Sequence, residues 1–176
     1  EPLHLILNPN MEADQIQSYV RMYEQSGWMP SFSILWGDNP CMNGNHAAAW
    51  FADAWFKGVR DFDLPKAYEG LRKNSLEATL LPWRNGPKCA LDDFYNKNGY
   101  FPALAEGEKE TEPLVHDFED RQAVAVTLGN AYDDWCIAQL AKALSKPDDA
   151  KLFLDRAAFY KNVYNAEKGF VWPKNK

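Results

Sequence analysis

Residues 44–58 read GNHAAAWFADAWFKG, and this stretch decides the fold class. Apolar side chains occupy most of its positions, so a helix from about Gly44 to Lys57 would be apolar around nearly its whole circumference. Gly58 stands where a helix commonly ends, because glycine tolerates the left-handed backbone of that position. Such a helix must be buried on most sides, which predicts an inner position in a packed helical protein.

A second stretch with the same character spans about Arg121 to Leu144. Residues that recur at three- and four-residue steps face one side of a helix, so the apolar stripe of this stretch is expected to pack inward. The stripe consists of Val124, Leu128, Ala131, Trp135 and Ala138, and it is flanked by Tyr132, Cys136 and Leu140.

Three further helices are predicted to be apolar on one face only. The first runs from about Met11 to a stop at Gly27, and the second is capped by Asp63 and ends at Leu81-Pro82. The third is expected to start with a capping box formed by Ser145 and Asp148 and to end before Gly169. Its inward residues are expected to be Phe153, Ala157, Tyr160 and Tyr164. Residues 83–120 read as irregular.

Amphipathic and buried helices therefore alternate along the chain, and the short links between them favour antiparallel helix hairpins. Alternation of this kind is what an inner and an outer ring of helices requires. The pattern predicts an all-α fold, either an α/α toroid or a stacked helical solenoid.

Composition excludes several classes of protein. The chain has 176 residues, a formal charge of −6 and 14% aromatic residues. The acidic balance and the lack of a Lys/Arg cluster argue against a nucleic-acid partner. Because no run of 18 apolar residues occurs, no transmembrane helix and no membrane partner are expected. Three widely spaced cysteines make neither a metal motif nor a disulfide framework.

Two groups of polar residues interrupt the buried helices. His46, Trp50, Asp53 and Lys57 share one face of the helix over 44–57, where they form either a pocket wall for a polar ligand or a structurally satisfied set. The adjacent acids at 133–134 point about 100° apart, unlike a pair of catalytic carboxylates across a sugar. We expect them to be paired with Arg, Lys or helix-end amides.

Several segments, taken in order, resemble glycoside hydrolase family 92, the calcium-dependent exo-acting α-mannosidases. The resemblance rests on GWMP at 27–30, CMNGNHA at 41–47, ADA at 52–54, KG at 57–58, AYE at 67–69, GYFP at 99–102, AYDDWCIA at 131–138, FL at 153–154 with Arg156, YKN at 160–162 and GF at 169–170. It extends over essentially the whole chain. Gly129 departs from the family pattern, in which many members carry Glu, and Asn43 and Asn45 are local variants.

The resemblance implies an N-terminal β-sandwich joined to an (α/α)6 barrel, or toroid. Residues 1–176 would be a partial α/α-barrel catalytic domain, roughly the first half of that barrel, without the sandwich and without the C-terminal half. The general acid (a Glu), the base (an Asp) and the calcium ligands are expected outside this chain, so no catalytic and no metal-ligating residue is assigned here.

The resemblance further implies a parent α-mannosidase of the inverting type that acts on mannose-containing glycans with calcium and is exported to the periplasm or outside the cell. The chain alone is expected to be inactive, to need no cofactor and to self-associate through exposed barrel edges. Asn45, His46 and Asp53 are the candidate substrate-binding residues. Two alternatives stay open: a helical-repeat module for protein interaction and a non-catalytic carbohydrate-binding module.

Overall fold

The computed structural model describes residues 2–42, 44–84 and 86–176. Asn43, one of the two variant positions in the CMNGNHA segment, lies outside the described residues. Within the described ranges the chain forms seven α-helices: α1 (Pro2–Leu7), α2 (Pro9–Ser26), α3 (Ala47–Phe56), α4 (Leu64–Glu77), α5 (Ala90–Asn98), α6 (Ala123–Ala143) and α7 (Pro147–Ala157).

A 3₁₀ helix at Ala158–Val163 continues α7. Two antiparallel hairpins with strands of two residues each complete the described elements: β1 (Ser33–Ile34) with β2 (Gly37–Asp38), and β3 (Tyr164–Asn165) with β4 (Phe170–Val171). The predicted all-α class is thus confirmed. Of the helices in the described part of the chain, none is long and apolar enough to cross a membrane.

The ends of α2 follow the sequence signals. Asn8 accepts a hydrogen bond from the backbone N–H of Met11 at 3.1 Å, which satisfies one of the free amides of the first turn. Gly27 has a φ of +80° and donates its N–H to the Tyr23 carbonyl at 2.7 Å. The helix begins at Pro9, two residues earlier than the apolar pattern predicted.

The predicted end of the helix that Asp63 caps is wrong. α4 ends at Glu77, and Ala78 is already extended. The backbone N–H of Leu80 donates to a carboxylate oxygen of Asp92 at 2.7 Å, so this segment is held by the next element and not by α4. Leu80 consequently belongs to a second apolar cluster, apart from the one that contains the inner face of α4.

The prediction that residues 83–120 are irregular is wrong for α5. Asp92 is fully buried and accepts the backbone N–H of Cys89 at 2.6 Å as well as that of Leu80. One carboxylate therefore caps the first turn of α5 and fixes the end of the preceding loop. Tyr95 is buried completely, which fastens this nine-residue helix to the core.

The predicted capping box at the start of α7 is also wrong. Ser145 has a φ of +56° and terminates α6, and the backbone N–H of Lys146 returns to the Ala141 carbonyl at 2.9 Å. Because Ser145 takes part in ending one helix, it does not cap the next. No side chain caps α7 at its N-cap residue, Lys146.

α3 and α6 lie at the centre, as the alternation predicted. They share the main apolar cluster with α2, α4 and α7. Its fully buried side chains include Ile16, Phe51, Leu71, Ile137, Leu140 and Phe153. The second cluster joins α5 to the start of α6 and contains Leu80, Leu81, Leu91, Tyr95, Phe101, Val115, Ala123 and Val126.

One face of α6 departs from the expected burial. Trp135 and Tyr132 are 47% and 55% exposed, and their rings stack at a centroid distance of 6.4 Å. Tyr160 and Tyr164, which were expected to point inward from the end of α7, are exposed as well. The rings of Tyr132, Trp135 and Tyr160 line an open apolar groove of about 520 Å³ between α6 and the end of α7.

The C-terminal residues fold back onto the segment that follows α5. The backbone N–H of Ala103 donates to the Lys174 carbonyl and the Tyr100 hydroxyl donates to the Asn175 carbonyl, both at 2.9 Å. The Lys174 ammonium lies 4.3 Å from the centre of the Tyr100 ring. These contacts fix the course of residues 100–103.

Candidate functional site

The N-terminus of α3 meets the middle of α6 at a single carboxylate. One oxygen of Asp133 accepts the backbone N–H of Asn45 at 2.7 Å, and the other lies 2.8 Å from Nδ1 of His46. The amide side chain of Asn45 donates to the Leu71 carbonyl of α4 at 2.9 Å. Three helices are therefore joined around two of the candidate site residues.

His46 directly precedes α3, and its side chain is 51% exposed, whereas that of Asp133 is 1% exposed. Gly44 has a φ of +95°, and a Cβ on it would come within 2.7 Å of Cε1 and Nε2 of the His46 ring. A side chain at this position would be strained by the backbone conformation and would also displace the imidazole from its observed place.

The electrostatics of the imidazole follow from its partner. The hydrogen bond to Asp133 raises the pKa of His46 above its ordinary value of 6.5, and partial burial of the ring opposes this shift. Because a carboxylate only accepts, Nδ1 carries the hydrogen in this contact. Nε2 is then the nitrogen available to a ligand: it accepts from a hydroxyl when the ring is neutral and donates when it is protonated.

Asp134, the neighbour of Asp133, belongs to a separate buried network. Arg156 of α7 donates to it from Nε at 2.8 Å, and the hydroxyl of Ser75 in α4 donates to its other oxygen. Burial raises the pKa of Asp134 to about 6, against the opposing effect of Arg156 and Ser75. The expectation that both acids pair with an arginine or with helix-end amides agrees with this arrangement.

Asn45 lines a second feature of the site. Asn45 is 6% exposed, and its side-chain Oδ1 is buried with no hydrogen-bond partner among the residues that the structure describes. The residue borders a cavity of about 40 Å³, whose other polar walls include Asn74, Arg84 and Asn130. A cavity of this size accepts a water molecule or a single small polar group.

Asp53 lies apart from this cluster. It is seven residues beyond His46, roughly 10 Å along the helix axis at 1.5 Å per residue. Its carboxylate pairs with Lys57 at 2.8 Å, and it borders an open groove of about 240 Å³ together with Tyr132 and Trp135. The structure brings Asn45 and His46 together but places Asp53 at a different surface.

Trp50, which shares the helix face of His46 and Asp53, has a structural role. Its indole N–H donates to the fully buried carboxylate of Glu12 in α2. The polar face of α3 is therefore divided between a ligand-accessible imidazole, a buried hydrogen bond and an exposed ion pair.

Sequence reasoning did not include Gly44 and Asp133 among the site residues. Asp133 was identified only as a buried acid in need of a partner, since its partners lie 87 and 88 positions away in the chain. The signal for Gly44 was its place between two polar residues just before an apolar helix. Neither signal predicts that Gly44 and Asp133 lie against the same imidazole, that of His46.

In the described residues, no group of three or more His, Cys, Asp or Glu side chains could hold a metal ion. The three cysteines are free, and Cys136 is buried.

Comparison with known proteins matches the whole chain, residues 1–176, to the glycosyl hydrolase family 92 catalytic domain. The family GH92 inverting mannosidase BT2199 from Bacteroides thetaiotaomicron VPI-5482 is similar at 33% identity and a TM-score of 0.80, over 99% of this chain and 21% of that one. The α-mannosidase BT3965 from Bacteroides thetaiotaomicron, solved in complex with mannoimidazole, is similar at 28% identity and a TM-score of 0.76, over 96% of this chain and 20% of that one.

The search of curated proteins found no match. The chain spans about a fifth of the length of the mannosidases whose structures it matches. The structural similarity confirms the predicted α/α fold class. Since the family match extends from the first residue to the last, the chain belongs to glycosyl hydrolase family 92.

Proposed function

We propose that the full-length protein containing this chain is a glycoside hydrolase that removes terminal α-linked mannose with inversion of configuration. The observation that carries the proposal is the match of 99% of the chain to an inverting mannosidase at 33% identity. The second relative, solved with mannoimidazole, supports mannose-containing glycans as the substrate class. An enzyme family matched over the whole chain also favours a hydrolase over a helical-repeat interaction module.

Inversion requires two carboxyl groups on opposite sides of the sugar, one to protonate the leaving oxygen and one to activate water. In this chain, Asp133 is bound to the start of α3, and Asp134 is bound to Arg156 and Ser75. Both are 1% exposed. They are therefore unsuited to either catalytic role, and the acid and the base are assigned to the remainder of the full-length protein.

The proposed assembly is an N-terminal β-sandwich followed by an (α/α)6 barrel, to which residues 1–176 contribute roughly the first half. Calcium would bind vicinal hydroxyls of the mannose, with ligands outside this chain. Asn45 and His46 are proposed to lie at the sugar-binding mouth. Asp53 is proposed as a more distant contact, since it borders the groove beside Tyr132 and Trp135.

The test uses full-length protein and an aryl α-mannoside. We expect hydrolysis to give β-mannose as the first product, seen by proton NMR. We also expect the activity to be lost on treatment with a calcium chelator and restored by added calcium. First formation of the α-anomer would contradict inversion, and full activity in the presence of chelator would contradict the role of calcium.

The isolated chain of residues 1–176 is proposed to be inactive in the same assay. Hydrolysis above background by the purified chain would overturn this assignment. Binding of mannose to the isolated chain, measured by calorimetry, would instead favour the carbohydrate-binding alternative.

A further inference from the structure

Asp133 is a buried carboxylate whose two oxygens are both directed at the start of α3. One binds the backbone N–H of Asn45 and the other the imidazole of His46. Among the described residues, His46 is its ion-pair partner, whereas the neighbouring Asp134 has the guanidinium of Arg156. Two adjacent acids of equal burial are thus used differently: both join helices to one another, but Asp133 also holds a half-exposed side chain.

The His46 ring is constrained from a second direction by Gly44. The space that a Cβ would fill at Gly44 is occupied by the ring atoms Cε1 and Nε2. The imidazole therefore lies between a fixed carboxylate and the backbone of its own loop. A half-exposed histidine that is free of such constraints would sample several rotamers, and each would aim Nε2 differently.

We propose that Asp133 is a positioning residue, which holds the His46 imidazole so that Nε2 faces a hydroxyl group of the bound sugar. This inference rests on the proposed function, because the sugar is the ligand that the hydrolase would bind. It adds to that function a named contact atom and the carboxylate that orients it. Carboxylate–imidazole pairs fix the tautomer of the ring in the same way in other binding sites.

The first test does not depend on turnover. Full-length wild type and the Asp133→Asn variant are treated with diethyl pyrocarbonate at pH values from about 5 to 9, a range that brackets the ordinary pKa of histidine. Modification of His46 is followed by peptide mass spectrometry. Asp133 is the ionisable side chain that acts on this imidazole, so its loss is expected to lower the apparent pKa of His46. His4 and His116 serve as internal controls, because the extent of their modification should be the same in both proteins.

The second test measures binding of an aryl α-mannoside through the Michaelis constant. Asp133→Asn should raise KM about tenfold, because an imidazole that is no longer oriented would lose most of its hydrogen bond to the sugar hydroxyl. In a His46→Ala background the same substitution should have no further effect on KM, because His46 is gone and the amide oxygen that replaces the carboxylate can still accept the Asn45 N–H. Asp134→Asn is the matched control, and its effect on KM should be equal in the two backgrounds.

Two results would overturn the inference: an unchanged apparent pKa of His46 in Asp133→Asn, or an equal rise of KM in the wild-type and His46→Ala backgrounds. If Asp133→Asn fails to fold, Gly44→Ala displaces the ring while it leaves the carboxylate in place, and it should raise KM similarly. If wild type hydrolyses no α-mannoside, the proposed function fails, while the pKa comparison still tests the coupling of Asp133 to His46.

Discussion

Arg156 and Asp134 form an ion pair, 2.8 Å from Nε to Oδ2, in which the side chains are 7% and 1% exposed. The same guanidinium donates to Oδ1 of Asn96 in α5 at 2.8 Å and to the backbone carbonyl of Ser75 in α4 at 3.2 Å. One side chain of α7 thus satisfies polar groups on three other helices. Buried charge is tolerated here because each hydrogen-bonding group of the pair has a partner.

Arg156→Met should lower the free energy of unfolding by about 3–5 kcal/mol, because it leaves a buried carboxylate without its cation. The loss should be smaller at pH 5 than at pH 7. The variant's folded state binds a proton at Asp134 more readily than its unfolded state does, so its stability falls as the pH rises. Thermal or urea unfolding of full-length protein measures both effects.

Lys151→Met is the matched control for Arg156→Met. Lys151 also lies on α7 and pairs with a carboxylate, that of Asp155, but both side chains are exposed. It should leave the unfolding midpoint unchanged. Equal destabilisation by the two substitutions would show that burial does not determine how much the Arg156 ion pair contributes to the free energy of unfolding.

The pair of Glu110 and Arg121 should make stability depend on acid pH. Arg121 donates from Nε and Nη2 to the two carboxylate oxygens at 2.6 and 2.7 Å, and this contact lowers the pKa of Glu110 to about 2. A lowered pKa contributes stability above the unfolded value near 4.5, and that contribution is lost as the pH falls toward 2. We expect it to be about 1–2 kcal/mol, since the carboxylate is partly solvated.

Glu110→Gln removes this contribution, so the difference in stability between wild type and variant should shrink as the pH falls from about 5 to 2. Urea unfolding at several pH values measures it. A difference that stays constant over this range would mean that the contact does not depend on ionisation of Glu110.

Gly44 and Gly58 allow backbone strain to be separated from side-chain crowding. Their φ values are +95° and +98°, but a Cβ on Gly58 would meet no atom within 4 Å, whereas one on Gly44 would meet the His46 ring. Gly58→Ala should cost about 1–2 kcal/mol from the left-handed backbone alone.

Gly44→Ala should cost more and should also raise KM for an α-mannoside, because it displaces the imidazole. Unfolding and steady-state kinetics of the two variants, side by side in full-length protein, check this. A KM that rises equally in both variants would indicate that the strain and not the ring position affects the sugar site.

The isolated chain is expected to self-associate through the groove formed by Tyr132, Trp135 and Tyr160. Replacing Tyr132 and Trp135 with serine should shift sedimentation of the chain toward the monomer, because large exposed apolar patches drive association. Trp172→Ser is a suitable control, as Trp172 is similarly exposed outside this groove. Unchanged sedimentation of the double variant would assign association to another surface.

Helices that carry strong local signals were predicted well. Gly27 ends α2, and Asp63 caps α4 through the Lys66 N–H at 2.9 Å. The local signals failed where a distant residue decides the structure. α5 depends on Asp92, which simultaneously holds Leu80 across the loop. The sequence indicates Ser145 as the N-cap of α7, but Ser145 adopts a left-handed conformation at the end of α6.

The candidate site was predicted only in part, again because residues that are distant in the sequence determine its geometry. An imidazole before an apolar helix and two acids within another were both visible as polar groups in need of an explanation. Their pairing was not visible, since His46 and Asp133 are 87 residues apart. Asp53 shares the helix face of His46 by spacing, yet its ion pair with Lys57 and the axial distance along α3 separate it from the imidazole.

The hydrogen bonds from Tyr100 and Ala103 to the last residues have a consequence for biosynthesis. The Tyr100 hydroxyl donates to the carbonyl of Asn175, which is synthesised 75 residues later. While the ribosome makes the intervening α6 and α7, the segment around Tyr100 lacks these two hydrogen bonds, although Thr127 and Arg121 already reach it when α6 begins to form. The C-terminal residues are therefore the last to join residues 100–103, and a chain that ends before Lys174 would leave the Tyr100 hydroxyl and the Ala103 N–H without these partners.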